Sequence, residues 1–181
     1  MLIQNIKKGF FFLGILFLAA CSMTSTEEQN IKITAGDEEI QVIAYEESSV
    51  LTTDDIEINN QNLVSGMGFE EIPYVPLSET ILLEISNSDV KELVIDDYIL
   101  NKNGTFKFSN ELVETITLPL ENGKAMFPLQ ENIAALLSSN TADYLPGNTL
   151  RYFVVRSNTE SANPLFAFMV RTDATVGEKD N

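Results

Sequence analysis

The sequence predicts an all-β fold, an antiparallel β-sandwich with one short helix, and three observations carry that expectation. Most of the stretch from Ile31 to Thr172 reads as short apolar and β-branched runs in period two, bounded by Gly, Pro, Asn and Asp. The pairs Asn103-Gly104 and Asn122-Gly123 suit tight turns, because both residue types tolerate positive φ. Glu131 to Leu137 breaks the β pattern, with Ile133, Leu136 and Leu137 at three- and four-residue spacing.

Ile31-Lys32-Ile33-Thr34 alternates, Ala35-Gly36-Asp37 breaks it, and Ile40 to Tyr45 resumes, which predicts a hairpin. Ser48 to Met67 is polar and weakly periodic, so one short strand around Ile56 to Ile58 is expected there, with loops on either side. Pro73-Tyr74-Val75-Pro76 suits an edge or a lead-in. Thr80 to Ile85 is a strand with Ile81, Leu83 and Ile85 on one face. Glu92 to Leu100 is another, with Leu93, Ile95 and Asp97 on one face and Val94, Asp96 and Tyr98 on the other. Leu112 to Leu118 and Lys124 to Phe127, joined across Asn122-Gly123, form the strongest hairpin expectation. A short helix over Glu131 to Leu137, packed on a sheet, follows, then a turn at Tyr144-Leu145-Pro146-Gly147. Leu150 to Arg156 and Leu165 to Arg171 carry apolar residues on both faces, as central strands do. Ser157 to Pro164 is their polar connection, and the chain closes on a polar tail over 174–181.

The N-terminus has a different character. Lys7 and Lys8 precede an uncharged run, Gly9 to Ala20, the layout of an export signal. At about 1.5 Å per residue it is short for a hydrocarbon core of about 30 Å, which argues against a permanent transmembrane helix. The run ends in Leu18-Ala19-Ala20-Cys21, which resembles the bacterial lipobox. That resemblance implies diacylglyceryl attachment to the Cys21 sulfur and cleavage by signal peptidase II before Cys21, with Leu18, Ala19 and Ala20 as its recognition residues. The expected organisation is a lipoprotein signal peptide over 1–20, a lipidated cysteine and polar tether over 21–30, and a sandwich domain over 31–173. The expected location is the extracytoplasmic face of the cell membrane, or an outer membrane in a Gram-negative organism.

Composition narrows the function. Cys21 is the only cysteine, so no intrachain disulfide forms. The absence of histidine excludes Ser-His-Asp and Cys-His catalysis and removes the usual zinc ligand. Lys7 and Lys8 leave with the signal, taking the basic count from 11 to 9 against 27 acidic residues, a formal charge of −18. Such a charge repels nucleic acid and anionic surfaces. No Gly-x-Ser-x-Gly elbow, P-loop or dinucleotide fingerprint is present, and Ser65-Gly66-Met67-Gly68 is too short to cradle phosphate.

Two groups of residues remain as candidates. Asp54, Asp55 and Glu57, with Glu46 and Glu47 nearby, offer oxygens to Ca²⁺, although their spacing is not that of an EF-hand and solvated loop acids explain them equally. Tyr74, Tyr98, Tyr144 and Tyr152 with Arg151 and Arg156 offer an aromatic and cationic interaction face, since both residue types are enriched at binding hot spots. Half-buried strand tyrosines are the plainer account. Asp96 and Asp97 point to opposite faces of one strand and make a poor catalytic pair.

The element order looks like an immunoglobulin-like sandwich. Its texture is similar to that of uncharacterised Ig-like lipoprotein domains of low-GC Gram-positive bacteria: Asp97-Tyr98-Ile99-Leu100-Asn101, then Ala134-Ala135-Leu136-Leu137-Ser138-Ser139, then Gly147 with Arg151. The resemblance implies an architecture and no activity. The expectation is therefore a non-enzymatic, membrane-anchored module without a cofactor, binding an envelope protein or wall component. A small-ligand or calcium-binding lipoprotein and a carboxylate-based hydrolase are the alternatives.

Overall fold

The computed structural model describes residues 31–45, 52–86, 89–158 and 164–176. The signal, Cys21, the tether, Glu46, Glu47 and the end of the tail lie outside the described residues. No helix among the described residues is long and apolar enough to cross a membrane.

Among the described residues nine strands and one α-helix follow in order: β1 (Ile31–Ala35), β2 (Glu38–Ile40), β3 (Ile43–Ala44), α1 (Thr53–Met67), β4 (Thr80–Ile85), β5 (Glu92–Leu100), β6 (Glu114–Pro119), β7 (Lys124–Pro128), β8 (Thr149–Ser157) and β9 (Pro164–Thr172). They form two antiparallel sheets, ordered β2-β1-β4-β7 and β3-β9-β8-β5-β6. The fold is thus the predicted all-β sandwich. Alternation sets which side chains meet between the sheets: Ile81 and Leu83 from β4, Leu93 and Ile95 from β5, and Phe153 from β8 are all fully buried. At the centre the Phe153 and Phe168 rings stack with centroids 4.7 Å apart.

The expected hairpins are only partly present. β1 and β2 pair across Gly36, but the chain then leaves that sheet, and β3 pairs with β9 in the other one. β8 and β9 form the predicted closing hairpin. The strongest expectation, β6 with β7 across Asn122-Gly123, is not met: β6 pairs with β5, and β7 pairs with β4 in the opposite sheet. Only an isolated bridge between Glu121 and Lys124 forms at the turn. The reason lies in Leu120. It is buried, and its N–H donates to the Lys91 carbonyl at 2.8 Å, so the chain crosses from one layer to the other before it turns. Alternation specifies which face of a strand is buried, and not which strand lies beside it.

Helix placement also differs from expectation. Ser48 to Met67 was expected to hold a short strand and loops; within it lies α1, the one α-helix of the described residues. Thr52 caps it, accepting from the Asp55 N–H while the Asp55 carboxylate accepts from the Thr52 N–H, a reciprocal capping box. Ile56, Asn60, Leu63, Val64 and Met67 form its inner stripe, which covers Leu150, Tyr152, Val154 and Met169 on the outer face of the five-stranded sheet. Both faces of β8 are therefore covered, which explains its continuous apolar run. Ser65-Gly66-Met67 ends α1, and Gly68, at φ +91°, leads out of it.

Candidate functional site

The connection from β7 to β8, residues 129–148, crosses from one sheet to the other and carries the candidate site. A short 3-10 helix, Ile133–Leu137, stands where a packed helix was expected. Its orientation is the reverse of the expectation. Ala134 and Ala135 face inward against Ile99 and Ala174, while Ile133 is 70 % exposed, Leu136 41 % and Leu137 55 %. The spacing read as a packing face belongs to the solvent side, because a 3-10 turn holds three residues and the small side chains of Ala134 and Ala135 let the backbone lie close to its support. A second 3-10 turn, Thr141–Tyr144, is tied to the first: the Tyr144 hydroxyl lies 2.8 Å from both the Leu136 and the Ser138 carbonyls. Leu145, 56 % exposed, follows it. Val176 joins from the C-terminal side through its N–H, 2.6 Å from Glu131 Oε1. The polar tail thus begins docked, with Ala174 buried.

A buried charged network holds this surface from below. Arg151 and Asp97, 3 % and 1 % exposed, form a two-pronged ion pair: Arg151 Nε donates to Asp97 Oδ1 at 3.1 Å and Nη2 donates to Oδ2. Arg151 Nη1 donates to the Gln130 carbonyl at 2.5 Å. Asn132 Nδ2 donates to Asp97 Oδ2 at 2.8 Å, and Asn132 Oδ1 accepts from the Ala134 N–H at 2.8 Å. The chain of contacts runs from β5 and β8 through Asn132 into the exposed helix. At the other end, Asp143 accepts from Lys107 and Ser138. Burial works against ionisation of Asp143, but those two donors outweigh it and hold its carboxyl below the usual range.

The six residues of the expected aromatic and cationic face do not share a surface. Tyr98 and Tyr152 lie beneath α1, with ring centroids 6.3 Å apart. Arg156 pairs with Asp96 on that same outer side of the sheet, whereas Arg151 points between the sheets, its guanidinium 5.1 Å from the Phe153 ring centre. Tyr74 donates to Asp173 at 2.8 Å and sits against Gly147. Of the six, only Tyr144 lies on the exposed crossover, and Arg151 supports it from inside. Asp96 and Asp97 do point to opposite faces, each held by its own arginine of β8.

The acids weighed for calcium lie at the start of α1. Asp55 completes the capping box, Asp54 lies in the first turn, and Glu57 Oε2 accepts from the Phe106 N–H at 3.0 Å. Among the described residues no three acidic, histidine or cysteine groups converge as a metal site.

Under α1, the Tyr45 hydroxyl meets that of Tyr152. Burial, then the neighbouring Tyr98, raises the Tyr45 phenol well above its ordinary value. Burial, then Asp96, raises Tyr98, against the lowering effect of Arg156. An unfolded tyrosine ionises near pH 10. Stability from these two phenols is therefore complete below that pH and is lost as pH rises from there toward the folded values. In an alkaline titration, phenolate absorbance from this pair is expected to appear together with the loss of the circular dichroism signal. Early phenolate absorbance in a Tyr74→Phe, Tyr144→Phe variant, which keeps the cluster's own tyrosines and its native dichroism, would show that the cluster is open to solvent.

The chain matches no protein-family model and no curated protein.

Sequence reasoning passed over Gln130 and Asn132, which fasten the crossover, and Ile133, Leu136, Leu137 and Leu145 as surface groups. One signal was present: Asn132 precedes the helical spacing as a capping residue does, and Ala134-Ala135 marks where the backbone comes close to its support.

Proposed function

We propose that this chain is a lipid-anchored envelope protein whose sandwich is a non-enzymatic binding module, with the β7–β8 crossover as its docking face. The observation that carries the reading is the cluster of Ile133, Leu136, Leu137, Tyr144 and Leu145 on the surface of a rigidly supported segment. Exposed apolar side chains scattered singly need no account, but a cluster with polar surroundings marks an interaction site. The buried Arg151–Asp97–Asn132 network pre-organises that face, which reduces the ordering cost of binding. The strand runs β1-β4-β7 and β9-β8-β5 support an immunoglobulin-like arrangement, in which such modules are common.

Anchoring rests on Leu18-Ala19-Ala20-Cys21. Two or three acyl chains on Cys21, at about 0.8 kcal/mol per buried CH₂, hold a protein stably on a bilayer. Cys21→Ser is expected to accumulate as an unprocessed precursor that takes up no labelled fatty acid. Normal processing and labelling of that variant would end the lipoprotein reading. For the docking face, a photo-crosslinking residue at position 137 in living cells is expected to capture one defined envelope component. The same residue at Met126, equally exposed on β7, should capture none. Equal capture from both positions would remove the special role of the crossover.

A further inference from the structure

We infer that the crossover face takes a basic amphipathic polypeptide segment, one presenting an apolar stripe flanked by lysine or arginine. This deepens the docking-face reading above and rests on it.

The argument is the charge around the patch. Glu114 Oε1 accepts from the Ile133 N–H at 2.7 Å, and Glu131 Oε1 accepts from the Val176 N–H at 2.6 Å. The two carboxylates therefore sit at the border of the apolar surface, each held there by one backbone bond. Neither is in an ion pair among the described residues. Of the nearby cations, Lys107 is paired with Asp143 and Arg151 with Asp97 below the surface, while Lys102 donates to Asn148 at 2.9 Å and stands 4.4 Å from the Phe69 ring centre. What faces outward is an apolar centre with an acidic border, on a chain of net charge −16.

That pattern separates the possible occupants. A second copy would bring acidic borders and two acidic chains together, and like charges across an interface oppose binding. An anionic lipid surface is repelled for the same reason. A segment with apolar side chains at helical spacing and basic flanks matches both features, the groove-and-helix mode of recognition with charges that steer the approach.

The test uses the full lipidated chain in nanodiscs of zwitterionic lipid, with protein-free discs as the control. The probe is a synthetic amphipathic peptide with leucine at helical spacing and lysine flanks. Its counterpart carries glutamate in place of lysine. Anisotropy of the labelled peptides is expected to show binding of the lysine peptide, weakening with added salt, and on the order of tenfold weaker binding of the glutamate peptide. Glu114→Gln with Glu131→Gln keeps both backbone bonds, because the amide oxygen still accepts, and should weaken the lysine peptide about tenfold. Leu137→Ser with Leu145→Ser, both at exposed positions, should abolish binding with the melting temperature unchanged. Equal, salt-independent binding of both peptides would overturn the basic-partner inference and leave the docking face standing. Binding of neither peptide, with concentration-dependent dimers or with capture by anionic vesicles, would overturn it in favour of a second copy or a lipid surface. Binding of the lysine peptide undiminished by Leu137→Ser with Leu145→Ser would overturn the docking face itself.

Discussion

Arg151→Ala is expected to destabilise the protein by about 3–5 kcal/mol, because it leaves the Asp97 carboxylate buried without its counter-charge. Most domains are stable by only about 5–15 kcal/mol, so the change should be plain in urea unfolding at neutral pH. Arg151 and Asp97 are diagonal neighbours on β8 and β5, at the end of the inter-sheet core, with two bonds between them and a third from Arg151 to Gln130. Lysine is no substitute, since a single ammonium cannot make the fork. The double change Arg151→Met with Asp97→Leu removes both charges and should restore much of the stability. It should not restore the crossover, where Asn132 Nδ2 loses its acceptor. Amide exchange at Ala134 and Ala135 is therefore expected to stay fast in the double variant while the strand amides are protected again. Equal protection of both would show that the network holds only the core and not the docking face.

Gly104→Ala should dislodge α1. Gly104 has φ +87°, and a β-carbon there would stand 2.7 Å from the Asn60 carbonyl group and 2.8 Å from the Gln61 α-carbon, all backbone atoms of the helix. A left-handed conformation costs a non-glycine residue roughly 1–2 kcal/mol, and forcing the helix outward adds roughly 1–3 kcal/mol. The helix has little in reserve. Its inner stripe is interrupted by Asn60, which is 2 % exposed and whose amide nitrogen has no hydrogen-bond partner among the described residues. The expected result is faster amide exchange across α1 with slower change in β5 and β8, together with binding of a hydrophobic dye to the uncovered sheet face. Uniform loss of protection in helix and strands would mean instead that α1 and the sandwich unfold as one unit.

The same residues show how far the sequence was legible. β4, β5, β8 and β9 could be read directly, because a strand two residues per repeat displays its buried face in its own side chains. For the same reason Asp96 and Asp97 were correctly assigned to opposite faces. Their partners were not legible: Arg156 is 60 residues from Asp96 and Arg151 is 54 from Asp97, and no local pattern joins them. α1 was hidden by Asn60, which interrupts the apolar stripe of Ile56, Leu63, Val64 and Met67, and by the polar run from Asn59 to Asn62. Its capping residues, Thr52 and Asp55, were the available signal. The six tyrosines and arginines expected to share a face are scattered because most of these side chains have a use inside the fold.

The sequence by itself determined the class of fold, the faces of the longer strands and the chemistry that the missing histidine and the single cysteine exclude. These follow from local geometry and from composition, which need no knowledge of neighbours. The tertiary structure decided that β6 and β7 lie in different sheets, that α1 covers β8, and that Ile133, Leu136 and Leu137 face water while Ala134 and Ala135 are buried. Burial is a property of packing between segments distant in the chain. A spacing can say which side chains point the same way, and only the packed molecule says whether anything is there to meet them.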